Sequence, residues 1–522
     1  MQTPSQNKNS VVIDTEKYTR SKTEDESLSD LGEPKEFYYT RSLTKRLLRW
    51  GVEARGMFLS MRVDSSSNLI SGIAPAPLCE RTDTQFHKLF FLWFSMNFNI
   101  LSFSAGSLGP VIFGLGLRDS CLVILFFNLL ASALPAYLTT WGPKIGLRQM
   151  CQARYSFGYY GIILPSILNM ASMMGFCILN CILGGQTLSS VSNGNLSWSV
   201  GIVIISVISL LVSFCGYRVL NWYERIAWIP VLVVYVVALG LGGKHLSNQP
   251  PTEPASAPAI LSFASVIAGF VITFSPLSSD FTTYYVPSVS PWKLFCYSYL
   301  GFNIPIITIQ CLGAAVVLAA PSVPAWNEGY ENGNVGGLLE AMLHPVGGFG
   351  KFLTVLMALS VTANVSPTLY SFGLSFQIFM PFLVVVPRYL FSLLAIAIII
   401  PLSIVGQHKF YDTLTNFLGL IGYWASAFGA IILMEHFVIR RGDFSSYDLR
   451  YWNNPRKLPT GLAALGACAL ACGLIVPSMD QVWFVGPIAK KTGDIGFELA
   501  FFATALFYIP LRYIELKYKS LV

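Results

Sequence analysis

Polar and aromatic side chains share a face in two apolar stretches, where they could hold a small flat molecule. Phe176 and Asn180 stand four residues apart in one stretch, and Asn364 and Thr368 stand four apart in another. Residues at this spacing lie on one face of a helix. An amide offers two donors and an oxygen acceptor, which match the edge of a heteroaromatic ring, and an aromatic face such as Phe176 or Phe274 offers a stacking surface. The pattern predicts a site for a planar nitrogen-containing ring, although each asparagine could instead only join neighbouring helices.

Two of the apolar stretches contain residues that interrupt helices. These residues are Gly106, Gly109 and Pro110 in the first stretch and Ser275 and Pro276 in the sixth. Taken singly, each cluster could simply allow close packing or a kink. Discontinuous helices, however, expose backbone N–H and C=O groups at the middle of a membrane, and the first and sixth stretches are corresponding members of two five-helix halves. The pair therefore predicts an inverted-repeat secondary transporter.

Asp280 is the only carboxylate in the sixth stretch, residues 258–285. A carboxylate inside a membrane is costly and needs a role. Asp280 could bind a proton or another cation, or it could pair with a basic residue near the cytoplasmic end. Both interpretations remain open at this point.

No cofactor or metal site is expected. The pairs Cys177/Cys181 and Cys468/Cys472 lie one helical turn apart, but no histidine or carboxylate stands at helical spacing near them. Small packing residues are the better interpretation of both pairs.

The composition is that of a membrane protein. Of the 522 residues, 53% are hydrophobic and 12% charged, whereas soluble domains are about one-quarter charged. Such a chain could not cover its surface with solvated groups, so the lipid bilayer is an expected partner. The net charge of +7 does not indicate nucleic-acid binding, because no basic patch alternates with aromatic residues.

From residue 89 onward, apolar stretches near the length of a membrane-spanning helix alternate with short polar breaks. We predict an all-α polytopic membrane protein with twelve transmembrane helices at residues 89–115, 120–141, 159–189, 197–216, 222–243, 258–285, 293–319, 350–376, 387–406, 413–437, 460–478 and 493–513. Lys and Arg concentrate in the connections on one side, which predicts that both termini are cytoplasmic. The predicted domains are a largely disordered N-terminal tail at 1–86, a transporter domain at 87–515 and a short C-terminal tail at 516–522.

In addition, the chain resembles the fungal purine–cytosine permeases, a branch of the nucleobase–cation symporter-1 family. The resemblance runs from about residue 50 to the end of the chain. It is carried by GVEARG at 51–56, LWFSMN at 92–97, SLGPVIFGL at 107–115, SDFTTYYVP at 279–287, NFLGLIGYW at 416–424 and RYIELKY at 512–518, among others.

The resemblance implies a LeuT-like fold, with two inverted repeats of five helices followed by two further helices. It also implies proton-coupled uptake of nucleobases such as cytosine, adenine, guanine or hypoxanthine, with ring-binding residues in spans one, three, six and eight. Asn180 is similar to the third-span asparagine that holds the base, and Asn364 to the first residue of an Asn-Asn-Ile-Pro-Asn stretch. Ser102 is similar to a first-span serine.

This sequence departs from the family at several of these positions. Phe176 and Phe274 replace frequent tryptophans, and the eighth-span motif becomes Asn364-Val365-Ser366-Pro367-Thr368 with two amides lost. A site that hydrogen-bonds one ring discriminates against rings without the matching groups, so these changes should alter the choice of substrate more than the fold. A ring vitamin such as pyridoxine is therefore an alternative substrate.

Other classes of function have less support. The chain has five histidines, all near span ends or in loops, so it lacks the cluster of catalytic groups that a membrane enzyme needs, and it has no P-loop motif for ATP-driven transport. A channel would need repeated polar or charged rings along a pore. We expect alternating access at the plasma membrane, with a transport-inactive nutrient sensor as a further alternative and the oligomeric state open.

Overall fold

The computed structural model describes residues 74–192, 195–214, 222–247, 252–379 and 388–521. Most of the predicted N-terminal tail therefore lies outside the described residues. The described α-helices are α1 (His87–Asn97), α2 (Ile100–Phe113), α3 (Leu117–Leu138), α4 (Trp141–Ile145), α5 (Gln149–Gly161), α6 (Ile163–Val191), α7 (Trp198–Phe214), α8 (Trp228–Gly242), α9 (Ala257–Ile272), α10 (Pro291–Ala319), α11 (Pro324–Leu343), α12 (Gly347–Leu359), α13 (Thr362–Phe379), α14 (Arg388–Gly406), α15 (Phe410–Met434), α16 (Leu462–Ser478), α17 (Ala489–Thr492) and α18 (Gly496–Leu521).

Shorter elements connect or extend these helices. The 3₁₀ helices of the described residues are Leu78–Glu80, Gly243–His245, Ser275–Phe281, Ala320–Ser322, His344–Val346, Gln407–Lys409, Phe444–Ser446 and Leu449–Tyr451. A π-helical turn, Glu435–Ile439, follows α15. Two short strands, β1 (Asp480–Gln481) and β2 (Phe484–Val485), form an antiparallel hairpin.

The first predicted span is broken, but not at the predicted residues. Helices α1 and α2 meet at an angle of 55°. The break lies at Phe98 and Asn99, and Asn99 is extended with φ −146° and ψ 176°. The Asn99 side chain accepts hydrogen bonds from the N–H groups of Leu101 and Ser102 at 2.9 and 3.1 Å, which starts a new helix by ordinary N-capping.

The prediction that Gly106, Gly109 and Pro110 form the helix break is therefore wrong. All three residues lie within the continuous helix α2. The glycines serve packing instead: a Cβ at Gly106 would stand 1.9 Å from the backbone oxygen of Gln310, and one at Gly109 would stand 2.7 Å from the Ser120 hydroxyl. Small residues here permit close approach between helices.

Helices α2 and α10 are in backbone contact at two levels. Besides Gly106 against Gln310, a Cβ at Gly313 would stand 2.0 Å from the carbonyl oxygen of Phe103. Substituting either glycine would force the two backbones apart. The two helices are therefore interlocked over about one turn.

Two further predicted spans are interrupted. Helix α9 ends at Ile272, and the chain continues through Thr273 and Phe274 into the 3₁₀ helix Ser275–Phe281. The eighth predicted span consists of α12 and α13, separated at Ser360 and Val361. This last interruption was not predicted from the sequence.

The described helices include many that could cross a membrane. Eight helices or continuous helical stretches are long and apolar enough, and the bent pair α1–α2 makes nine. Two of the eight stretches are 55 and 51 residues long, whereas a hydrocarbon core of about 30 Å needs about 20 helical residues. Large apolar side chains such as Phe126 and Leu506 are 61% and 69% exposed, as expected of groups that face lipid. The number of twelve spans stays a prediction.

Both ends of the described chain pack onto the helices. Within the predicted tail, Arg81 is buried and donates to the carbonyl oxygens of Ala76, Pro143 and Ile145. At the other end, α18 continues as a helix through the predicted tail to Leu521.

A buried ion cluster holds the last helix against the end of α15. The Glu435 carboxylate accepts hydrogen bonds from Tyr508 at 2.7 Å, Arg512 at 2.9 Å and Arg440 at 3.0 Å. Arg512 also pairs with Glu515 at 3.0 Å. Because both Glu435 and Arg512 are buried, each needs its partners, and the cluster fixes α18 in place.

Candidate substrate-binding site

Two of the predicted asparagines meet directly between helices α6 and α13. The amide nitrogen of Asn180 donates to the amide oxygen of Asn364 at 3.0 Å and to the carbonyl oxygen of Phe176 at 2.8 Å. The amide nitrogen of Asn364 in turn donates to the carbonyl oxygen of Met96 at 2.9 Å. The chain of hydrogen bonds thus reaches the last turn of α1, just before the break.

One acceptor in this cluster has no partner among the described residues. The Oδ1 atom of Asn180 is buried and accepts no hydrogen bond from any residue that the structure describes. An unpaired buried amide oxygen costs about 1–3 kcal/mol. A ligand that donates an N–H to this oxygen would recover that cost.

The predicted aromatic pair is also brought together. The rings of Phe176 and Phe274 stack with centroids 6.2 Å apart and planes 22° apart. The rings of Phe270 and Phe417 both pack edge-on against Phe176, with centroid distances of 5.9 and 5.3 Å. Phe274 lies at the break after α9, so the stacked pair joins that break to α6.

Two further aromatic rings pack against Phe274. Trp93 of α1 lies 5.7 Å from Phe274 and stacks on Phe302 at 4.4 Å. Phe302 itself lies 5.4 Å from Phe274. These contacts connect the two broken helices through aromatic rings.

Thr368 and Ser102 are buried next to these groups, but their hydroxyls are already bonded to backbone. Thr368 donates to the carbonyl oxygen of Asn364 at 2.7 Å, which is the i−4 bond of a helical threonine. Ser102 donates to the carbonyl oxygen of Asn97 across the first break. Each hydroxyl keeps acceptor capacity for a ligand.

Asp280 lies away from the asparagine cluster and is held by α5. Its Oδ1 accepts the backbone N–H of Gln149 at 2.9 Å, and Arg148 donates to its backbone carbonyl. The neighbouring Ser279 donates to Gln149 at 2.7 Å. Arg148 is thus a basic residue beside Asp280, and both interpretations of this carboxylate stay predictions.

Sequence reasoning missed two polar groups at the first break. Asn99 caps α2, and Ser360, at the unpredicted break before α13, accepts the backbone N–H of Ile100 at 3.4 Å. The spacing Asn97-Phe98-Asn99 is the signal that could have found the break, because asparagine is a strong N-cap residue. Two breaks therefore face each other here.

Apolar helices that break beside buried amides and stacked rings define a membrane carrier for a small molecule. The sequence profile of a family described as permease for cytosine/purines, uracil, thiamine, allantoin matches residues 75–499. The chain belongs to this permease family.

Three comparisons illustrate the likeness. The purine-cytosine permease fcyB of Emericella nidulans is 36% identical over 86% of this chain and 89% of that protein. The vitamin B6 transporter TPN1 of Saccharomyces cerevisiae is 28% identical over 89% of this chain and 90% of its own length. The solved structure of Mhp1, a nucleobase-cation-symport-1 family transporter in a closed conformation with bromovinylhydantoin bound, covers 86% of this chain and 96% of its own, with a TM-score of 0.65 at 18% identity. This chain therefore shares the fold of Mhp1.

Proposed function

We propose that the protein takes up nucleobases, cytosine or purines such as adenine, guanine and hypoxanthine, by proton-coupled alternating access at the plasma membrane. The observation that carries the proposal is the buried amide pair Asn180–Asn364 beside the stacked rings of Phe176 and Phe274. Amides supply the edge contacts of a heteroaromatic ring, and the phenylalanines supply its faces. The purine-cytosine permease fcyB, similar over most of the chain, supports the same substrate class.

In this proposal, the ring enters between Phe176 and Phe274. A ring held between two others needs about 7 Å, which is two carbon contact distances of about 3.5 Å. The centroids stand 6.2 Å apart, so the phenylalanines separate by about an ångström or more on binding. A donor on the base then binds the free Oδ1 of Asn180.

The same proposal includes the architecture. Twelve spans in two inverted repeats of five plus two, with both termini in the cytoplasm, would place a broken helix at the start of each repeat. A largely disordered N-terminal tail at 1–86 and a C-terminal end at 516–522 would flank the transporter domain. Ser102, Phe176, Asn180, Phe274, Asn364 and Thr368 are the proposed substrate ligands.

A ring vitamin is the second candidate substrate. Phenylalanines at 176 and 274 lack the indole N–H that a tryptophan would donate, so the site imposes fewer hydrogen-bond requirements on the ring. The vitamin B6 transporter TPN1 is similar over 89% of the chain. Pyridoxine therefore belongs in the test beside the bases.

An uptake panel tests the proposal. Cells without their own nucleobase and pyridoxine uptake express the protein, and accumulation of labelled cytosine, adenine, guanine, hypoxanthine, uracil, thiamine and pyridoxine is measured with and without a protonophore. We expect protonophore-sensitive accumulation of at least one base. Accumulation of pyridoxine alone would identify the vitamin, and not a base, as the substrate. No accumulation despite surface expression would favour a sensor and overturn the transport proposal.

A further inference from the structure

Glu224 is a buried carboxylate that the candidate substrate site does not use. It lies near the start of the apolar stretch Trp222–His245 and is 1% exposed. Neither carboxylate oxygen has a hydrogen-bond partner within the described part of the chain. The hydroxyl of Ser95 on α1 lies close to this carboxylate, and it is buried and equally without a hydrogen-bond partner in that part of the chain.

No charge of the described residues compensates this carboxylate. Arg225, next along the chain, is half-buried, and its Nη2 donates to the Gln85 side chain at 2.8 Å. Tyr223 is the other titratable neighbour, and it carries no positive charge. On α1, Lys88 pairs with Asp83 at 2.9 Å, and α13 contributes no charged residue.

Aromatic rings pack between this stretch and α1. Trp228 of α8 stacks on Phe91 at 6.2 Å and meets Phe94 edge-on at 5.4 Å. Further along, the Tyr235 hydroxyl donates to the carbonyl oxygen of Asn99 at 3.2 Å, at the break itself. The stretch that carries Glu224 therefore packs along α1 up to the point where α1 ends.

We propose that Glu224 is the proton-binding residue that couples transport to a proton gradient. This inference rests on the proposed function and specifies the residue that carries the coupling ion. An isolated ionised carboxylate in an apolar interior is so costly that it takes up a proton instead. The protonated carboxyl then donates its O–H to the Ser95 hydroxyl, and no second ion is needed.

A metal cation fits this place less well than a proton. Two carboxylate oxygens and one hydroxyl are fewer than the oxygen ligands that hard cations collect, commonly six or more. Asp280, the carboxylate singled out from the sequence, is also the weaker candidate, because it already accepts the N–H of Gln149 and lies beside Arg148.

Glu224 is connected to the substrate site through α1. Ser95 and Met96 are neighbours in the last turn of that helix, and the Met96 carbonyl accepts the hydrogen bond from Asn364. Loss of the proton leaves a bare carboxylate against Ser95, which can be relieved only if α1 or the stretch beginning at Trp222 moves and admits water. The same movement changes the hydrogen bond between Met96 and Asn364. Binding of the proton and binding of the base therefore both act on the position of α1.

The test uses the full chain purified into liposomes, with labelled cytosine and labelled adenine as probes. Counterflow against the same unlabelled base measures binding and movement without a gradient. Accumulation is then driven by an imposed gradient of about one pH unit, which supports up to about tenfold accumulation for one co-transported proton. A sodium gradient of the same size replaces it in a separate arm.

We expect Glu224→Gln to retain counterflow within about threefold of the parent protein and to lose pH-driven accumulation, because glutamine mimics the protonated, uncharged carboxyl. Glu224→Asp should retain part of the accumulation with a shifted pH profile. The matched control Glu328→Gln, at an exposed position on α11, should accumulate base as the parent does.

Three results would overturn the assignment. The first is full pH-driven accumulation by Glu224→Gln, and the second is accumulation that follows only the sodium gradient. The third is loss of counterflow in Glu224→Gln and Glu224→Asp alike, which would indicate a purely structural role. Absence of any counterflow by the parent protein would instead contradict the proposed function itself, and the inference would fail with it.

Discussion

The break between α1 and α2 and the break after α9 both contribute to the candidate site, but they are built from different groups. The first is lined by uncharged polar groups, with Asn99 capping α2 and the Met96 carbonyl bonded to Asn364. The second presents the ring of Phe274 and, six residues on, Asp280 held against α5. The comparison teaches that the first break presents groups able to exchange hydrogen bonds, whereas the second is held by hydrogen bonds between Asp280 and the start of α5.

The largest expected effect is a loss of thermal stability, which should follow a substitution at the second break. Asp280→Asn removes the charge from the acceptor of the Gln149 N–H, and a hydrogen bond to a charged group contributes about 1.5–3 kcal/mol. Thermal unfolding in detergent should therefore occur at a lower temperature. Glu224→Gln is the matched carboxylate-to-amide control and should unfold close to the parent, since Glu224 has no charged partner among the described residues. Equal losses in the two variants would contradict the comparison.

The next effect concerns the amides beside the first break. Asn180→Ala leaves Asn364 without its donor and removes the free Oδ1, so we expect a loss of about 10- to 100-fold in apparent affinity for the best base of the panel. Asn169→Ala is the control on the same helix, since Asn169 bonds Ser375 at 3.1 Å. Its transport should stay within a few-fold of the parent, and equal losses in both variants would remove Asn180 from the site.

A smaller effect tests how the first break is held. Asn99→Ala removes the cap of α2 and should destabilise the protein by about 1 kcal/mol, because an N-cap side chain is worth about that much. Asn99→Ser restores a capping oxygen and should recover most of the loss in the same unfolding measurement. A serine variant as unstable as the alanine variant would show that capping does not hold the break.

The smallest effect concerns the second break. Phe274→Leu keeps an apolar side chain but removes the aromatic face, so affinity should fall by a few-fold, or about 0.5–1.5 kcal/mol. All bases of the panel should lose similar affinity, because stacking does not read the ring edge. Phe270→Leu, which loses only an edge contact with Phe176, serves as control. A reordered ranking of the bases would assign selectivity to the second break as well.

The sequence predicted the parts of the structure that periodicity controls. Spacing and polarity singled out Asn180 and Asn364 as candidate ligands on two separate helices, and the amide nitrogen of Asn180 lies 3.0 Å from the amide oxygen of Asn364. The break in the first span was misplaced because small residues in membrane helices also serve close packing, so their presence alone does not locate a break. Gly106 and Gly109 are packing residues, and the actual break depends on the capping asparagine Asn99.

Glu224 escaped the sequence analysis for a different reason. It stands beside Arg225 near the end of a predicted span, where an ion pair at the membrane surface is the ordinary expectation. Whether a charged residue is compensated depends on side chains distant in sequence, such as Gln85, which accepts a hydrogen bond from Arg225. No periodicity carries that information.

The interlocked glycines of α2 and α10 supply a reference for distance measurements. Backbones that touch at Gly106 and Gly313 cannot slide past each other without a steric clash, so spin labels on these two helices should keep one separation in every state of the transport cycle. Labels on α6 and α10 should instead change their separation when a base binds, since the stacked rings of Phe176 and Phe274 must open between them. The distance between α2 and α10 therefore serves as an internal control for the distance between α6 and α10.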